Sequence, residues 1–360
     1  MKVKLNYAGW KSLLLLALLA ALSAGVLAAQ MELEPKRVRS AVAPTALVYH
    51  PDYLLHNPGA DHPESPERLR AVMAHLKRQG LLDALLQLQP EPASESWLTR
   101  VHTPTYLNLL QMAVRTPPVA LDPDTVVSAQ SYRVARLAVG GVLVAVDAVI
   151  EGRARNAFAA VRPPGHHALP DRAMGFCLLN HVAIATRYVQ EKHRLKRVLI
   201  VDWDVHHGNA TQDVFYSDPS VLYFSTHQYP FYPGTGFEQE KGLGPGHGMN
   251  INVPLPAGSG DPDVIRAFRE KLVPAAESFR PEFVLISAGF DGHRRDPLAQ
   301  FQLTENGYAA LTRIVKEIAE RFAGGRLVSV LEGGYNLEAL SRSVEAHIRV
   351  LQTRSHSRIK

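Results

Sequence analysis

The chain has 360 residues, of which 46% are hydrophobic and 20% are charged, a composition typical of a globular protein with a sizeable core. Its net charge is +5, but three lysines lie among the first 29 residues, which contain no acid; removing them leaves +2, and no nucleic-acid surface is expected. A single cysteine, Cys177, excludes an intramolecular disulfide and a thiolate metal cage, and its apolar neighbours favour a packing role.

The N-terminus has the pattern of an export signal. Lysines precede an apolar run, Leu13–Ala29, that ends in small residues. The run is about as short as a membrane-spanning helix can be, so we expect either a cleaved signal peptide or a retained inner-membrane anchor over 1–29. Basic residues soon after the run oppose clean translocation. The pattern favours export to a bacterial periplasm or anchoring in the inner membrane, and a cytoplasmic protein with a misassigned start codon is the alternative. A linker over 30–44 and a catalytic domain over 45–360 are predicted to follow.

Apolar runs and helical periods alternate through the rest of the chain. Six runs are predicted strands: ALVYH (46–50), AFAAV (157–161), RVLIVD (197–202), VLYFS (221–225), FVLISA (283–288) and RLVSVL (326–331). The segments 66–82, 133–152 and 263–279 have helical periodicity. This alternation predicts a doubly wound α/β domain, with a mostly parallel sheet and helices on both faces.

Polar clusters follow five of these strands. They are RPPGHH (162–167), DWDVHHGN (202–209), STHQ (225–228), GFDGH (289–293) and EGGY (332–335). The carboxyl ends of parallel strands meet at one edge of a sheet, and sites assemble there. We therefore expect these side chains to form one site.

Asp204 and His206 are the first candidate metal ligands. Alternate residues of an extended chain point the same way, so these two side chains can face one point, and Asp291 can supply a third ligand. Carboxylate oxygen and imidazole nitrogen suit a divalent transition metal, most commonly zinc, and three protein ligands leave the open position of a catalytic site. Taken alone, the pattern fits a solvated Asp/His turn equally well.

Four further residues are candidates for catalysis. The rigid turn before His166 and His167 suggests that this pair supplies one base and one acid rather than surface decoration. Asp202, one step deeper in the strand, can hold a histidine ring N–H or can cap loop amides. Tyr335, after two glycines, can stabilise a developing oxyanion or can be a buried tyrosine with a satisfied hydroxyl.

Together these motifs resemble the zinc-dependent histone deacetylase family, including its bacterial acetylpolyamine amidohydrolase and deacetylase-like members. The likeness runs from about Leu47 to Leu340 in the family's order. It implies the arginase/deacetylase fold, with a mostly parallel sheet of about eight strands flanked by helices. It also implies hydrolysis of acyl (acetyl) amides of lysine-like or other primary amines, with one Zn²⁺ per chain, for which Fe²⁺ is the other metal to consider.

The resemblance assigns roles to the clustered residues. Asp204, His206 and Asp291 would hold the metal, and Tyr335 would stabilise the oxyanion. His166 would pair with Asp202 and act electrostatically. His167 would pair with Asn209 and act as general base and then acid. Asn209 places the sequence nearer the class II branch, since class I members carry Asp there.

A substrate channel and a second ion site are also implied. The channel residues are Gly175, Phe176, Tyr232, Leu298, His62 and Pro63, the last two at the rim. Leu298 stands where a eukaryotic polyamine deacetylase carries an acidic gatekeeper, which favours acyl-lysine-like amides. Glu67 and Arg68 are predicted to be a solvated helix start. Backbone oxygens of five residues are candidates for K⁺ or Na⁺: Asp202, Asp204, His206, Ser225 and Thr226.

Three other functions are compatible with parts of the pattern. One is a catalytically silent acyl-lysine-binding module on the same fold, which the presence of Tyr335 argues against. Another is an amidohydrolase specific for acetylpolyamines. The third is an arginase-type ureohydrolase with two manganese ions, which would need D-x-H-x-D where this chain has D-x-D-x-H.

Overall fold

The computed structural model describes residues 43–353. The predicted signal or anchor segment, and all but the end of the predicted linker, lie outside these residues. Between residues 43 and 353, no helix is both long enough and apolar enough to cross a membrane.

The described chain alternates strands and helices. The strands are β1 (Thr45–Val48), β2 (Leu86–Leu88), β3 (Val119–Ala120), β4 (Val126–Val127), β5 (Asn156–Ala159), β6 (Val198–Asp202), β7 (Val221–Gln228), β8 (Asn250–Leu255), β9 (Phe283–Ala288) and β10 (Leu327–Leu331). The helices are α1 (Pro66–Arg78), α2 (Glu95–Leu98), α3 (Pro104–Ala113), α4 (Ser131–Ile150), α5 (His181–Glu191), α6 (Asn209–Phe215), α7 (Asp261–Ala267), α8 (Val273–Phe279), α9 (Glu305–Phe322) and α10 (Leu337–Gln352). A π-helical segment, Phe268–Leu272, joins α7 to α8.

Eight strands form one parallel sheet in the order β2-β1-β5-β10-β9-β6-β7-β8, and β3 and β4 form a separate antiparallel hairpin. The six predicted strands are all present, and the predicted fold class is confirmed. Every residue of β6, β9 and β10 is buried. Because successive side chains point to opposite faces of a sheet, both faces must be covered.

Two strands of the sheet were missed in the sequence, and both are at its edges. β2 has only three residues, too few for a pattern to emerge. β8 carries two asparagines and Pro254, which weaken a strand signal and are tolerated where one side of the strand is unpaired.

The register of the sheet brings the polar strand ends to one edge. Asp202 at the end of β6 is level with Ser225 of β7 and Ser287 of β9, and Ala288 of β9 is level with Leu331 of β10. The loops that leave these strands therefore start side by side. They carry the predicted metal ligands and the EGGY segment.

Candidate active site

Asp204, His206 and Asp291 converge at the carboxyl edge of the sheet. One ligand atom from each lies within 4.8 Å of the other two. The Nδ1 atom of His206 is 3.0 Å from Oδ1 of Asp204 and 3.2 Å from Oδ2 of Asp291. Two carboxylates and one imidazole, with both carboxylates fully buried, form a donor set that suits a divalent cation.

The electrostatics of this cluster also favour a cation. Burial and the Asp204 charge raise the pKa of Asp291 to about 7. Burial acts in the same direction on Asp204, but His166 and His206 outweigh it and lower the pKa of that carboxyl. Ionising two buried carboxylates this close together costs free energy unless a positive charge lies between them. A divalent ion would supply that charge.

Two glycines leave the space that the carboxylates occupy. A Cβ atom on Gly333 would lie 2.0 Å from Oδ2 of Asp291, and one on Gly289 would lie 2.1 Å from Oδ2 of Asp204. The backbone N–H of Gly333 donates a hydrogen bond of 2.8 Å to Asp204. The close approach of backbone to carboxylate thus orients the candidate ligands, and the residues present fit a metal.

The two adjacent histidines have different partners. Nδ1 of His166 donates to Asp202 at 3.1 Å, whereas Nδ1 of His167 donates to Asn209 at 2.7 Å. Burial alone would lower the pKa of His166, but Asp204 and Asp202 raise it to about 10. Burial lowers the pKa of His167 well below its usual value, and the neighbouring histidines His166 and His206 lower it further. The carboxylates therefore favour the charged form of His166, whereas burial favours the neutral form of His167.

Tyr335 is held from three sides. Its backbone N–H donates to Oδ2 of Asp296 at 2.7 Å, and the guanidinium of Arg68 lies 5.0 Å from its ring centroid. Phe176 packs edge-on against the same ring, with 5.7 Å between centroids. The next residue, Asn336, caps α10 through a 3.0 Å hydrogen bond from Ala339. The helix start and Asp296 together fix where the phenol can point.

A pocket of about 230 Å³ opens onto this cluster. Its lining includes His166, His167, His206, Tyr335, Gly175, Phe176, Tyr232 and Leu298, together with Pro164, Gly333 and Asp124. The candidate acid–base pair, one metal ligand, the phenol and four predicted channel residues thus face one space.

The walls of the pocket have a constrained backbone. Gly175 has a φ of +56° and Phe176 a φ of +68°. A side chain at position 175 would place its Cβ 2.5 Å from the ring of His167, so glycine is required there. A positive φ is costly for phenylalanine and is tolerated where surrounding contacts fix it, as is common in functional sites.

The opposite wall is aromatic. The ring of Tyr232 meets that of His167 at 5.3 Å, and Phe231 stacks on His206 at 5.3 Å. The hydroxyl of Tyr232 is buried and finds no partner within residues 43–353. This hydroxyl is therefore a buried polar atom in an aromatic wall of the pocket.

His62 and Pro63 do not line the pocket, contrary to the expectation that they stand at its rim. His62 lies behind the wall, where its ring packs edge-on against Phe176 at 4.7 Å. Both ring nitrogens of His62 are used: Nδ1 accepts from the backbone of Glu64 and Nε2 donates to the carbonyl of Asp124. The ring therefore supports Phe176, which itself lines the pocket.

Arg68 is fully buried, so the prediction of a solvated helix start is wrong for this residue. Its Nε donates to the carbonyl of Gly334 at 2.7 Å, and Nη2 donates to the carbonyl of Glu332. Glu64 balances its charge at 3.1 Å and also receives two hydrogen bonds, of 2.8 and 2.7 Å, from the buried Arg162. Breaking such a buried pair typically costs about 3–5 kcal/mol. This network anchors the EGGY segment.

The residues expected to hold a monovalent ion come from β7, the end of β6 and the loop that follows β6. Ser225 is level with Asp202 in the sheet, and both side chains are fully buried. The hydroxyl of Thr226 is buried without a partner in the described part of the chain. The Ser225 hydroxyl bonds to Nδ1 of His227 at 2.9 Å.

A second group that could offer metal ligands is His166, Cys177 and Glu332. Its donors are engaged elsewhere: Glu332 accepts from the backbone N–H groups of Gly165 and His166, and His166 donates to Asp202. Burial raises the pKa of the Cys177 thiol well above its usual value. A buried, protonated thiol fits the packing role expected for this residue.

Sequence reasoning missed two acidic residues of the site, Asp124 and Asp296. Asp124 lines the pocket from the loop between β3 and β4, and Asp296 holds the backbone of Tyr335. Both neighbour a proline in a polar segment, which is the usual pattern of a surface turn. The burial of Arg68 could have been predicted, because it lies on the same face of α1 as the buried residues Val72 and Leu76.

Comparisons with known proteins agree with this geometry. Residues 62–351 match the histone deacetylase domain. The chain is similar to a probable deacetylase of Archaeoglobus fulgidus, at 42% identity over 296 residues that cover 82% of each chain. It is also similar to polyamine deacetylase HDAC10 of Mus musculus, at 42% identity over 85% of this chain and 48% of that longer protein.

A solved structure matches the fold as well. The crystal structure of the HDA15 HD domain superposes with a TM-score of 0.83 at 40% sequence identity, covering 88% of this chain and 92% of that one. The eight-stranded parallel sheet agrees with this match. The chain therefore belongs to the histone deacetylase family and is a deacetylase-type amidohydrolase.

Proposed function

We propose that this protein is a zinc-dependent deacetylase that hydrolyses acyl amides of lysine-like primary amines. The observation that carries the proposal is the convergence of Asp204, His206 and Asp291 at the base of a pocket that Tyr335 also lines. A zinc ion held there would polarise the acyl carbonyl and acidify the attacking water. Iron(II) would fit the same ligand types, and metal analysis of the purified protein distinguishes the two.

The two histidines have different roles in this mechanism. His167 is neutral at pH 7, so it can take a proton from the attacking water and later give it to the leaving amine. The hydrogen bond to Asn209 fixes its Nδ1 as the protonated nitrogen, which leaves Nε2 free for this task. His166, charged and paired with Asp202, contributes a positive field beside the developing negative charge.

Tyr335 completes the site, because its hydroxyl can donate a hydrogen bond to the oxyanion of the tetrahedral intermediate. Burial raises the pKa of this phenol well above its usual value, which keeps it a donor across the working range of pH. The same residue argues against a silent binding module, because such a module has no need for a phenol at this position.

The pocket favours a lysine-like chain over a polyamine. Leu298 makes one wall of the pocket apolar, and at that wall a second ammonium group of a polyamine would find no partner. The carboxylate that does line the pocket, Asp124, comes from the loop between β3 and β4. The similarity to a polyamine deacetylase nevertheless makes acetylpolyamines the necessary comparison substrates. We also propose K⁺ or Na⁺ for the backbone site near Asp202 and Ser225, as an ion that would stabilise the loop carrying the ligands.

A panel of fluorogenic acyl-lysines and acetylpolyamines, assayed with zinc-loaded protein, tests the proposal. We expect turnover of acetyl-lysine amides that a hydroxamate abolishes, and weaker turnover of acetylpolyamines. Removal of Na⁺ and K⁺ should lower the thermal midpoint if the monovalent site is filled. Zinc-loaded protein that turns over no amide yet binds acyl-lysine would support the silent module instead.

A further inference from the structure

Glu332, which directly follows β10, carries a fully buried carboxylate that is not part of the pocket lining. Its Oε2 atom accepts hydrogen bonds from the backbone N–H of Gly165 at 2.6 Å and of His166 at 3.3 Å. Its Oε1 atom accepts from the hydroxyl of Ser287 at 3.2 Å. Since a buried carboxylate is stable only where hydrogen bonds replace its hydration, these three donors fix the side chain in place. Glu332 thus connects the end of β10 to the turn that carries the two candidate acid–base histidines.

The backbone around Glu332 is fixed as well. Its N–H donates to the carbonyl of Ala288 at 3.1 Å, and its carbonyl accepts from Nη2 of the buried Arg68. The next residue, Gly333, donates its N–H to Oδ2 of Asp204 at 2.8 Å. Two adjacent residues on one anchored segment therefore hold the histidine turn and a candidate metal ligand.

The histidine turn, residues 162–167, has few other backbone donors. Its two prolines have no N–H, so Gly165 and His166 provide the donors that follow them. Between residues 43 and 353, both of these N–H groups bond only to Glu332. The turn is also closely packed, because a Cβ atom on Gly165 would lie 2.7 Å from the carbonyl oxygen of Leu179. A change in the reach of Glu332 should therefore be transmitted to the turn.

We propose that Glu332 is a positioning residue, which sets the distance between the His166–His167 pair and the candidate metal ligand Asp204. Nε2 of His166 lies 3.9 Å from Oδ1 of Asp204. A shift of reacting groups by about 1 Å can change a rate about a hundredfold, so a carboxylate that holds the pair from outside the pocket can control kcat. The inference rests on the proposed function and adds to it a residue that acts through the histidines.

The test compares two variants of Glu332 in the zinc-loaded protein. Glu332→Asp keeps the charge but is one methylene shorter, so its carboxylate cannot reach the N–H of Gly165 from the anchored backbone. Glu332→Gln loses the charge but keeps the reach, because its amide oxygen can accept from Gly165 while its NH₂ group donates to Ser287. We expect kcat to fall about thirtyfold in the aspartate variant and to stay within about threefold of the wild type in the glutamine variant. KM for acetyl-lysine amide should be unchanged in both, since Glu332 does not line the pocket.

Hydrogen exchange of the metal-free protein gives a second readout, which does not depend on activity. The amide hydrogens of Gly165 and His166 should exchange faster in Glu332→Asp and at the wild-type rate in Glu332→Gln. The matched control is Asp261→Ala, which removes a carboxylate that accepts from the backbone of Thr304 at 2.8 Å. This control should lower the thermal midpoint and leave both kcat and the exchange of the two amides unchanged.

The charge of Glu332 also acts on the imidazole of His166, so a purely electrostatic role is the alternative. That role predicts the reverse pattern, in which Glu332→Gln loses kcat and Glu332→Asp keeps it. The reverse pattern, equal kcat values in the two variants, or an equal loss of kcat in Asp261→Ala would overturn the inference and leave the proposed function standing. No turnover of acetyl-lysine amide by the intact zinc-loaded protein would overturn both.

Discussion

The carboxylate of Asp296 holds Tyr335 and Leu298 at the same time. One oxygen accepts from the backbone N–H of Tyr335 at 2.7 Å, and the other accepts from that of Leu298 at 3.0 Å. Asp296 is 8% exposed, and Arg68 reaches the same loop from the opposite side. One buried side chain thus contributes to the position of both the phenol and the apolar wall of the pocket.

Replacing Asp296 by asparagine should lower kcat more than it raises KM. Asparagine has one acceptor oxygen where aspartate has two, so either Tyr335 or Leu298 loses its partner. We expect a decrease in kcat of about tenfold, from the cost of an unpaired buried N–H. The matched control is Asp261→Asn, because Asp261 accepts from the backbone of Thr304 at 2.8 Å but lies away from the pocket. An equal loss of kcat in both variants would show that the effect is one of general stability.

Asn209→Asp should shift the pH–rate profile. A carboxylate 2.7 Å from Nδ1 of His167 would stabilise the imidazolium and raise the pKa of that histidine. The unprotonated base would then become available only at higher pH, so the acidic limb of kcat/KM should move to higher pH. Zinc content should stay the same. A pH–rate profile that does not move would show that residue 209 does not influence the pKa of the catalytic base.

Leu298→Glu should shift selectivity toward acetylpolyamines. A carboxylate in the pocket wall would pair with the second ammonium of acetylspermidine and repay part of its desolvation. We expect the ratio of kcat/KM for acetylspermidine over acetyl-lysine amide to rise about tenfold, the effect of one charged hydrogen bond. Leu298→Gln has nearly the same shape without the charge and should leave the ratio close to that of the wild type. A similar rise in both variants would assign the effect to shape.

Three buried histidines should make the fold sensitive to mild acid. Burial lowers the pKa of His181 and His347 to about 3 and that of His102 to about 4. In the unfolded chain these histidines bind protons below about pH 6.5. The unfolded state therefore gains protons that the folded state does not, and stability present above pH 6.5 is lost as the pH falls toward 4.

The free energy of unfolding should fall by up to about 1.4 kcal/mol per pH unit for each of these histidines as the pH decreases. It can be measured from urea unfolding between pH 7 and 5. His181→Leu should reduce the slope by the share of one histidine, because neither ring nitrogen of His181 has a partner in the described chain and no hydrogen bond is lost. An unchanged slope in this variant would contradict the assignment.

The sequence predicted the parts of the site that depend on short-range geometry. Asp204 and His206 are two positions apart at a strand end, so the alternation of an extended chain already places them together. Asp291 and Tyr335 followed from the rule that parallel strands end at one edge. The family resemblance added the pairing of each histidine, which adjacency in sequence could not provide.

The parts that sequence reasoning missed depend on distant contacts. Arg68 reaches Gly334, which is 266 positions away, and whether a helix-start arginine is solvated or buried is decided by what packs on it. The family pattern around His62 predicts a residue at the pocket rim, whereas its ring packs edge-on against Phe176. The sequence around Asp296 has the pattern of a charged turn, and its distant backbone partners, Tyr335 and Asn336, are set by the tertiary fold.

The most direct test of the account is a zinc titration of metal-free protein, followed by hydrolysis of acetyl-lysine amide. If Asp204, His206 and Asp291 hold a single ion, the rate of hydrolysis should rise linearly with added zinc and level off at one equivalent. Gly333→Ala, whose added methyl group would collide with Asp291, should neither bind the ion nor turn over, whereas Gly260→Ala, with no contact nearer than 3.6 Å, should behave as wild type. Full activity in the metal-free protein, or a rate that levels off only at two equivalents, would contradict the single-metal site.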